Sequence, residues 1–230
     1  MHLPDGFLTG EVNAATFAVT VTVCGVALAR ARRTLSEKQV PLLGVTAAFT
    51  FAAQMLNYPI LPGVSGHYVG ALLAAILAGP LNACLIMTVV LLLQCLLFMD
   101  GGLTALGSNI FNMGLVAGTC SYGIFWLLKS FRPRNRNWFL FSAGLTAWLS
   151  AVVASACCAG ELCLSGRDSW GVALKFLVGY HALIGIGEAV VTVSILSTVL
   201  AVRPDLVQAW PAQRDERLAA IVPDVAEVRP

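Results

Sequence analysis

Charge is what this chain lacks most. Only 11% of its 230 residues are Asp, Glu, Lys or Arg, and 58% are hydrophobic, where a soluble domain carries about 25% charged residues. The shortage excludes a soluble globular protein and leaves an integral membrane protein. Runs of alternating polarity, which a lipid-facing barrel needs, are also missing, so the spans are helices. There is no His-Glu-x-x-His, no Walker A lysine loop and no Gly-x-Ser-x-Gly. A zinc protease, a nucleotide hydrolase and a serine hydrolase are thereby removed, and the chain cannot energise transport with ATP by itself. The seven cysteines show no Cys-x-x-Cys and no zinc-type spacing. Most lie in apolar runs, where cysteine acts as a small hydrophobe; a disulfide from Cys163 to Cys157 or Cys158 is the one pairing considered. No basic region precedes the first apolar run, so the start does not read as a cleavable signal peptide. No repeat of 20–50 residues is visible.

A span needs about 20 mostly apolar residues. Seven candidate segments stand out, at roughly 12–30, 40–56, 67–79, 81–99, 104–129, 138–159 and 170–202. The third is short and ends at Gly79-Pro80, which predicts a tight hairpin with the fourth. The expected fold is all-α, an integral membrane bundle of seven transmembrane helices. Residues 1–11 are then an N-terminal loop, 12–202 the transmembrane domain, and 203–230 a mobile cytoplasmic tail rich in proline and charge.

Basic residues set the topology. Arg30, Arg32, Arg33 and Lys38 separate segments one and two. Lys129, Arg132, Arg134 and Arg136 separate five and six, and Arg203, Arg214, Arg217 and Arg229 follow segment seven. With seven helices these twelve of the fourteen basic residues fall on one side, leaving Arg167 and Lys175 on the other. The positive-inside rule puts the N-terminus outside and the C-terminus in the cytoplasm. The net charge of +2 reflects this anchoring, not nucleic-acid binding. Met1, His2, the 57–67 loop and Asp100 share the outer face.

The chain begins Met1-His2-Leu3-Pro4-Asp5-Gly6-Phe7. A free amino terminus followed directly by histidine is a chelator. The Met1 α-amine, the His2 amide nitrogen and the His2 ring Nδ1 can close a five-membered and a six-membered ring on one ion, near one plane. Planar nitrogen donors favour Ni(II) or Cu(II) over tetrahedral Zn(II). Pro4 has no N–H, so the fourth ligand must come from elsewhere in the fold. Histidine is scarce: besides His2 there are only His67 and His181. His67 closes a turn shaped by Pro59, Pro62, Gly63, Ser65 and Gly66, on the same face as Met1 and His2, which favours it as a ligand.

His181 and Glu188 lie seven residues apart on one face of the last span. Ionisable groups at such depth face a bundle interior, as support for a metal site, as a network that senses its occupancy, or as a pair that fixes helix packing. Gln54, Asn57, Asn82, Gln94, Asn109 and Asn112 place amides in or beside the spans. Asn109 is a candidate to hold a loop backbone or orient a ligand ring. Asp5 is expected to cap a turn or to accept from a ligating imidazole, with Ser65 a further supporting candidate.

Four motifs in order carry a resemblance: Met1-His2-Leu3-Pro4-Asp5-Gly6-Phe7-Leu8, Ser65-Gly66-His67, Gly107-Ser108-Asn109-Ile110-Phe111-Asn112-Met113, and His181-Ala182-Leu183-Ile184-Gly185-Ile186-Gly187-Glu188-Ala189. Over residues 1–202 the chain resembles the substrate-binding components of nickel/cobalt energy-coupling-factor transporters, the NikM/CbiM family. The resemblance implies a seven-helix bundle with the N-terminal loop inserted into its outer mouth. It also implies a planar site built from the Met1 amine, the His2 amide, the His2 ring and the His67 ring. Its implied partners are a transmembrane coupling subunit, two cytoplasmic ATPase subunits and often a small accessory membrane protein.

The function expected is high-affinity capture of Ni2+ at a prokaryotic inner membrane, as a transported substrate with no organic cofactor and no enzyme activity. Co2+ uptake for cobalamin synthesis is the alternative. A haem-binding membrane anchor using His67 and His181 is the alternative of another class, and a permease without ATPase partners is a further one. Binding must release protons. Ordinary pKa values near 8 for the amine and 6.5 for histidine predict that affinity falls steeply below about pH 6.5.

Overall fold

A computed structural model describes residues 1–37, 39–61 and 64–210. Lys38, Pro62, Gly63, Arg214, Arg217 and Arg229, invoked above, lie outside the described residues.

The elements in chain order are α1 (Gly10–Thr34), α2 (Val40–Gln54), β1 (Asn57–Leu61), β2 (Val64–His67), α3 (Ala71–Ala78) and α4 (Pro80–Phe98). Then follow α5 (Leu106–Ser130), α6 (Arg136–Leu164) and α7 (Trp170–Val202). Each expected segment contains one helix. Five of them, α1, α4, α5, α6 and α7, are long and apolar enough to cross a membrane, and α2 is apolar but shorter.

The third segment departs from expectation. Its helix has eight residues, all buried, and spans only about 12 Å. Gly70 and Gly79 bound it with φ of +74° and +91°, a left-handed backbone that only glycine adopts freely. Pro80 then opens α4 at a position where its missing N–H costs nothing. The two helices pack through Ala74, Ala75 and Ala78 against Ala83, Ile86 and Val90.

The all-helical expectation is corrected in one place. Residues 57–67 form an antiparallel hairpin with Asn57 opposite His67, Tyr58 opposite Gly66 and Pro59 opposite Ser65. The register shifts between Pro59 and Leu61. Pro59 cannot donate to a ladder or continue a helix, and an irregular edge strand tolerates it.

All seven cysteines are free. Cys157, Cys158 and Cys163 all belong to α6, and the rigid helix keeps the considered partners on separate turns.

The basic clusters gather at one end. Arg30 of α1, Gly79 and Gln208 line one cavity of about 470 Å³. Lys129 at the end of α5 donates to the Ala209 carbonyl at 2.6 Å, and Arg136 at the start of α6 donates to the Ser197 carbonyl at 2.9 Å. Residues 207–210, expected in a mobile tail, pack here instead. Gln208 and Ala209 N–H groups donate to the Leu77 and Ile76 carbonyls, both at 3.1 Å, at the end of α3. Trp210 meets Phe139 edge-on at 4.9 Å. A core of Leu72, Ile76, Phe125, Phe139, Leu196 and Leu200 fills this end. The N-terminal segment and the hairpin occupy the opposite end, where the Thr9 N–H reaches the Ser165 hydroxyl beyond α6 at 3.1 Å.

Candidate metal centre

The first five residues are held by backbone and side-chain contacts to the α4–α5 connection. Asn109 of α5 brackets Leu3: its Oδ1 accepts from the Leu3 N–H at 2.8 Å and its Nδ2 donates to the Leu3 carbonyl at 3.1 Å. The Gly102 N–H adds a bond to the same carbonyl at 2.8 Å. Asp5 Oδ1 accepts from the Thr104 N–H at 2.7 Å and its hydroxyl at 2.6 Å. These bonds hold the Asp5 carboxyl below the usual range. Beyond them, Arg167 donates to the Gly6 and Phe7 carbonyls. The chain can lie this close because residue 102 is glycine. A Cβ there would sit 2.2 Å from the Asp5 backbone nitrogen.

So fastened, Met1 and His2 are driven inward. Met1 is fully buried, in a cluster with Val69, Met87 and Met113, and its amine donates to the Ser65 carbonyl. Burial pushes the amine down to about 5, against the pull of Cys158 and Asp100. His2 stacks on His67 with ring centroids 4.5 Å apart and planes at 21°. Burial, then the neighbouring amine, lowers the His2 imidazole to about 3.

The hydrogen bonds assign a tautomer to each ring. His2 Nε2 lies 3.0 Å from Gln94 Oε1. With the Gln94 amide so placed, that oxygen only accepts, which assigns the proton to Nε2 and the lone pair to Nδ1. Nδ1 lies 3.3 Å from Asp100 Oδ1 but makes no hydrogen bond. His67 Nδ1 lies 2.7 Å from the Tyr68 carbonyl, so Nε2 keeps the lone pair, and that atom too is buried without a partner. Two bare imidazole nitrogens thus sit on stacked rings near an uncharged amine. A buried polar atom without a partner is costly, and a metal ion would relieve both.

The loop after His67 is clamped from two helices. Glu188 of α7 accepts from the Val69 and Gly70 N–H groups at 3.2 and 3.0 Å. Gln54 of α2 donates to the Val69 carbonyl at 2.7 Å.

Of the residues expected from sequence, Met1, His2, Ser65 and His67 meet in one cluster. Asp5 and Asn109 hold the segment that carries two of them, and Glu188 holds the His67 loop. His181 is fully buried and hydrogen-bonds the Leu177 carbonyl of its own helix at 2.8 Å through Nδ1. No hydrogen bond or ring contact joins it to either of the other histidines. Sequence reasoning missed the roles of Gln94, Asp100, Gly102 and Gln54. Gln94 and Gln54 were visible only as amides in apolar runs. Among the described residues no group of three or more His, Cys, Asp or Glu side chains could hold a metal ion. With two imidazoles alone, further donors must come from the amine and the backbone.

Residues 2–206 match the family described as the cobalt uptake substrate-specific transmembrane region. The chain belongs to this CbiM family. A protein of Archaeoglobus fulgidus, provisionally named fused nickel transport protein NikMN, is 37% identical over 228 residues, covering 98% of this chain and 74% of its own length. Cobalt transport protein CbiM 1 of Pelobacter propionicus is 33% identical over 211 residues, covering 87% of this chain and 91% of its own length. A crystal structure described as a truncated transition metal transporter superposes with a TM-score of 0.81 at 32% identity, covering 87% of this chain and 99% of that one. Family and apolar helices together make the chain a multi-pass membrane protein of nickel or cobalt transport.

Proposed function

We propose that this chain captures Ni(II) at the outer face of a prokaryotic inner membrane, as the substrate-specificity subunit of an ATP-driven energy-coupling-factor transporter. The Met1 amine, the His2 amide, His2 Nδ1 and His67 Nε2 are its four ligands. One observation carries the reading: the two ring nitrogens required, His2 Nδ1 and His67 Nε2, are both buried without a partner in rings stacked 4.5 Å apart, beside an amine lowered to about 5. Planar four-nitrogen ligation fits Ni(II) best. The cobalt description of the family favours Co(II) as the second reading.

In this proposal the chain passes through the bilayer seven times, with the eight-residue α3 completing a passage that begins in the 57–70 segment, and the loop of residues 1–11 fills the outer mouth. The basic end faces the cytoplasm by the positive-inside rule, followed by the tail of 203–230. A transmembrane coupling subunit and two cytoplasmic ATPases, often with a small accessory membrane protein, supply the energy and release the ion inside.

The test is calorimetric titration of Ni(II) and Co(II) into the purified protein, into a variant with one residue added before Met1, and into His67→Ala. The added residue turns the amine into an internal amide, which cannot replace it, so tight binding is lost. His67→Ala weakens binding severely. An extended variant that holds Ni(II) as tightly as the parent overturns the proposal.

A further inference from the structure

His2 is 3% exposed, yet it forms part of the floor of an open pocket of about 320 Å³. The walls include Pro4, Asn57, Pro59, Ser65 and Met99, and Asp100 stands at the rim. Among the described residues lining this pocket, Asp100 is the one carboxylate. One of its oxygens faces the unpartnered His2 Nδ1 at 3.3 Å. The other accepts from Asn57 Nδ2 at 3.1 Å, which ties it to the hairpin across the mouth.

The backbone builds this placement. At the end of α4, Met99 takes a left-handed conformation with φ of 53°, unusual for a residue with a side chain. The Asp100 N–H then folds back onto the Gln94 carbonyl at 3.1 Å, a helix-ending turn. Gln94 is the residue whose side chain orients His2. One helix end therefore fixes the proton-bearing nitrogen of the imidazole and holds a carboxylate beside the bare one. Strain at a non-glycine position persists where the surroundings enforce it. Here it lies between Gln94, which holds the His2 ring, and Asp100, which lines the pocket.

We infer that the Asp100 carboxylate and His2 Nδ1 form a loading site for hydrated divalent cations, the first point of capture on the way to the buried four-nitrogen set. An incoming ion exchanges a water for an Asp100 oxygen, held by the attraction of a negative rim in a cleft of low dielectric. It then exchanges a second water for Nδ1, one short step inward. Asp100 leaves the ion as the amine, the amide and His67 close around it. The carboxylate acts on arrival and is absent from the final ligand set.

This inference rests on the capture reading above, and stopped-flow binding of Ni(II) to the purified full chain separates the two. Asp100→Asn keeps the shape and the contact with Asn57 but removes the charge. Its association rate constant drops about tenfold or more, while its dissociation rate constant stays within twofold. Added salt slows association of the parent and leaves the variant unchanged. Asp100→Glu, which keeps the charge, retains most of the rate. An unchanged association rate in Asp100→Asn overturns the loading site, as does a loss confined to dissociation. If Asp100→Asn does not fold, the salt series on the parent decides alone, and salt-independent association overturns the inference. A parent that binds no Ni(II) at all overturns the capture reading and this site with it.

Discussion

The 3.0 Å hydrogen bond from His2 Nε2 to Gln94 Oε1 decides which nitrogen of that imidazole a metal can use. Chelation together with the Met1 amine requires Nδ1. Gln94 is fully buried and takes the proton-bearing Nε2, so the ring is presented in the one tautomer that works. Partners of this kind are worth about 10–100-fold in metal affinity. Gln94→Leu keeps the volume and removes the acceptor, so its dissociation constant for Ni(II) rises by that factor. Calorimetry measures it, and a Gln94→Leu protein that binds like the parent would show that packing alone orients His2.

Burial changes the expected pH dependence. At ordinary values the amine and both imidazoles would be protonated at pH 5.5 and would compete with the metal. In the folded protein the amine titrates at about 5 and His2 at about 3, so both are neutral from pH 8 down to nearly 5. Only the amide proton then leaves on binding, which costs about tenfold in affinity per pH unit. From pH 7.5 to 5.5 the dissociation constant rises about 100-fold. Unshifted groups, one amine and two imidazoles, would make the rise nearly 10⁶-fold. The steep fall read from the sequence at about pH 6.5 therefore moves to about pH 5, where the amine begins to take a proton. Titrations at the two pH values distinguish these outcomes, and a loss beyond about 10⁴-fold would mean that the metal-free amine is charged.

What the sequence disclosed and what it hid follow from distance along the chain. Long apolar runs located α1, α4, α5, α6 and α7, because a run of that length has no other stable form in lipid. The ends of α3 were written in Gly70 and Gly79, but its shortness was masked by the apolar residues around it. The meeting of Met1 and His2 with His67 was legible in part, because the first two are adjacent and histidine is so rare. Gln94 acts across 92 positions from His2, and no local pattern announces such a pairing. The π-helical stretches at Phe111–Cys120 in α5 and Leu174–Val178 in α7 were equally invisible. They depend on what packs against the helix rather than on its own sequence.

Gly102 predicts a steric test of the N-terminal seat. A Cβ at this position meets the Asp5 backbone nitrogen at 2.2 Å and the Pro4 carbonyl carbon at 2.6 Å, and backbone cannot rotate away as a side chain can. Gly102→Ala therefore lifts residues 1–5, at about 1–3 kcal/mol for forced overpacking. It loses Ni(II) affinity by at least tenfold and lowers the melting temperature in detergent. Gly123→Ala, where nothing lies within 4 Å of the new atom, is the control and leaves both unchanged. Equal affinities in the two variants would place the N-terminal segment elsewhere in solution.

Glu188 and Gln54 grip the same residue from opposite helices, one through the Val69 N–H and the other through the Val69 carbonyl. Groups that share a partner do not contribute additively. Glu188→Ala leaves two buried N–H groups unpaired, and each costs about 1–3 kcal/mol. Gln54→Ala orphans one carbonyl. Once either clamp is gone the loop relaxes toward water or another donor, so the second loss costs less than it would alone. A double-mutant cycle on unfolding in detergent is expected to show a coupling of at least about 0.5 kcal/mol between the two. The same cycle read in Ni(II) affinity shows coupling of the same sign, because the loop they hold carries His67 at its start. Strict additivity in both readouts would mean that the two clamps act on separate structures, and that Glu188 has no hold on His67.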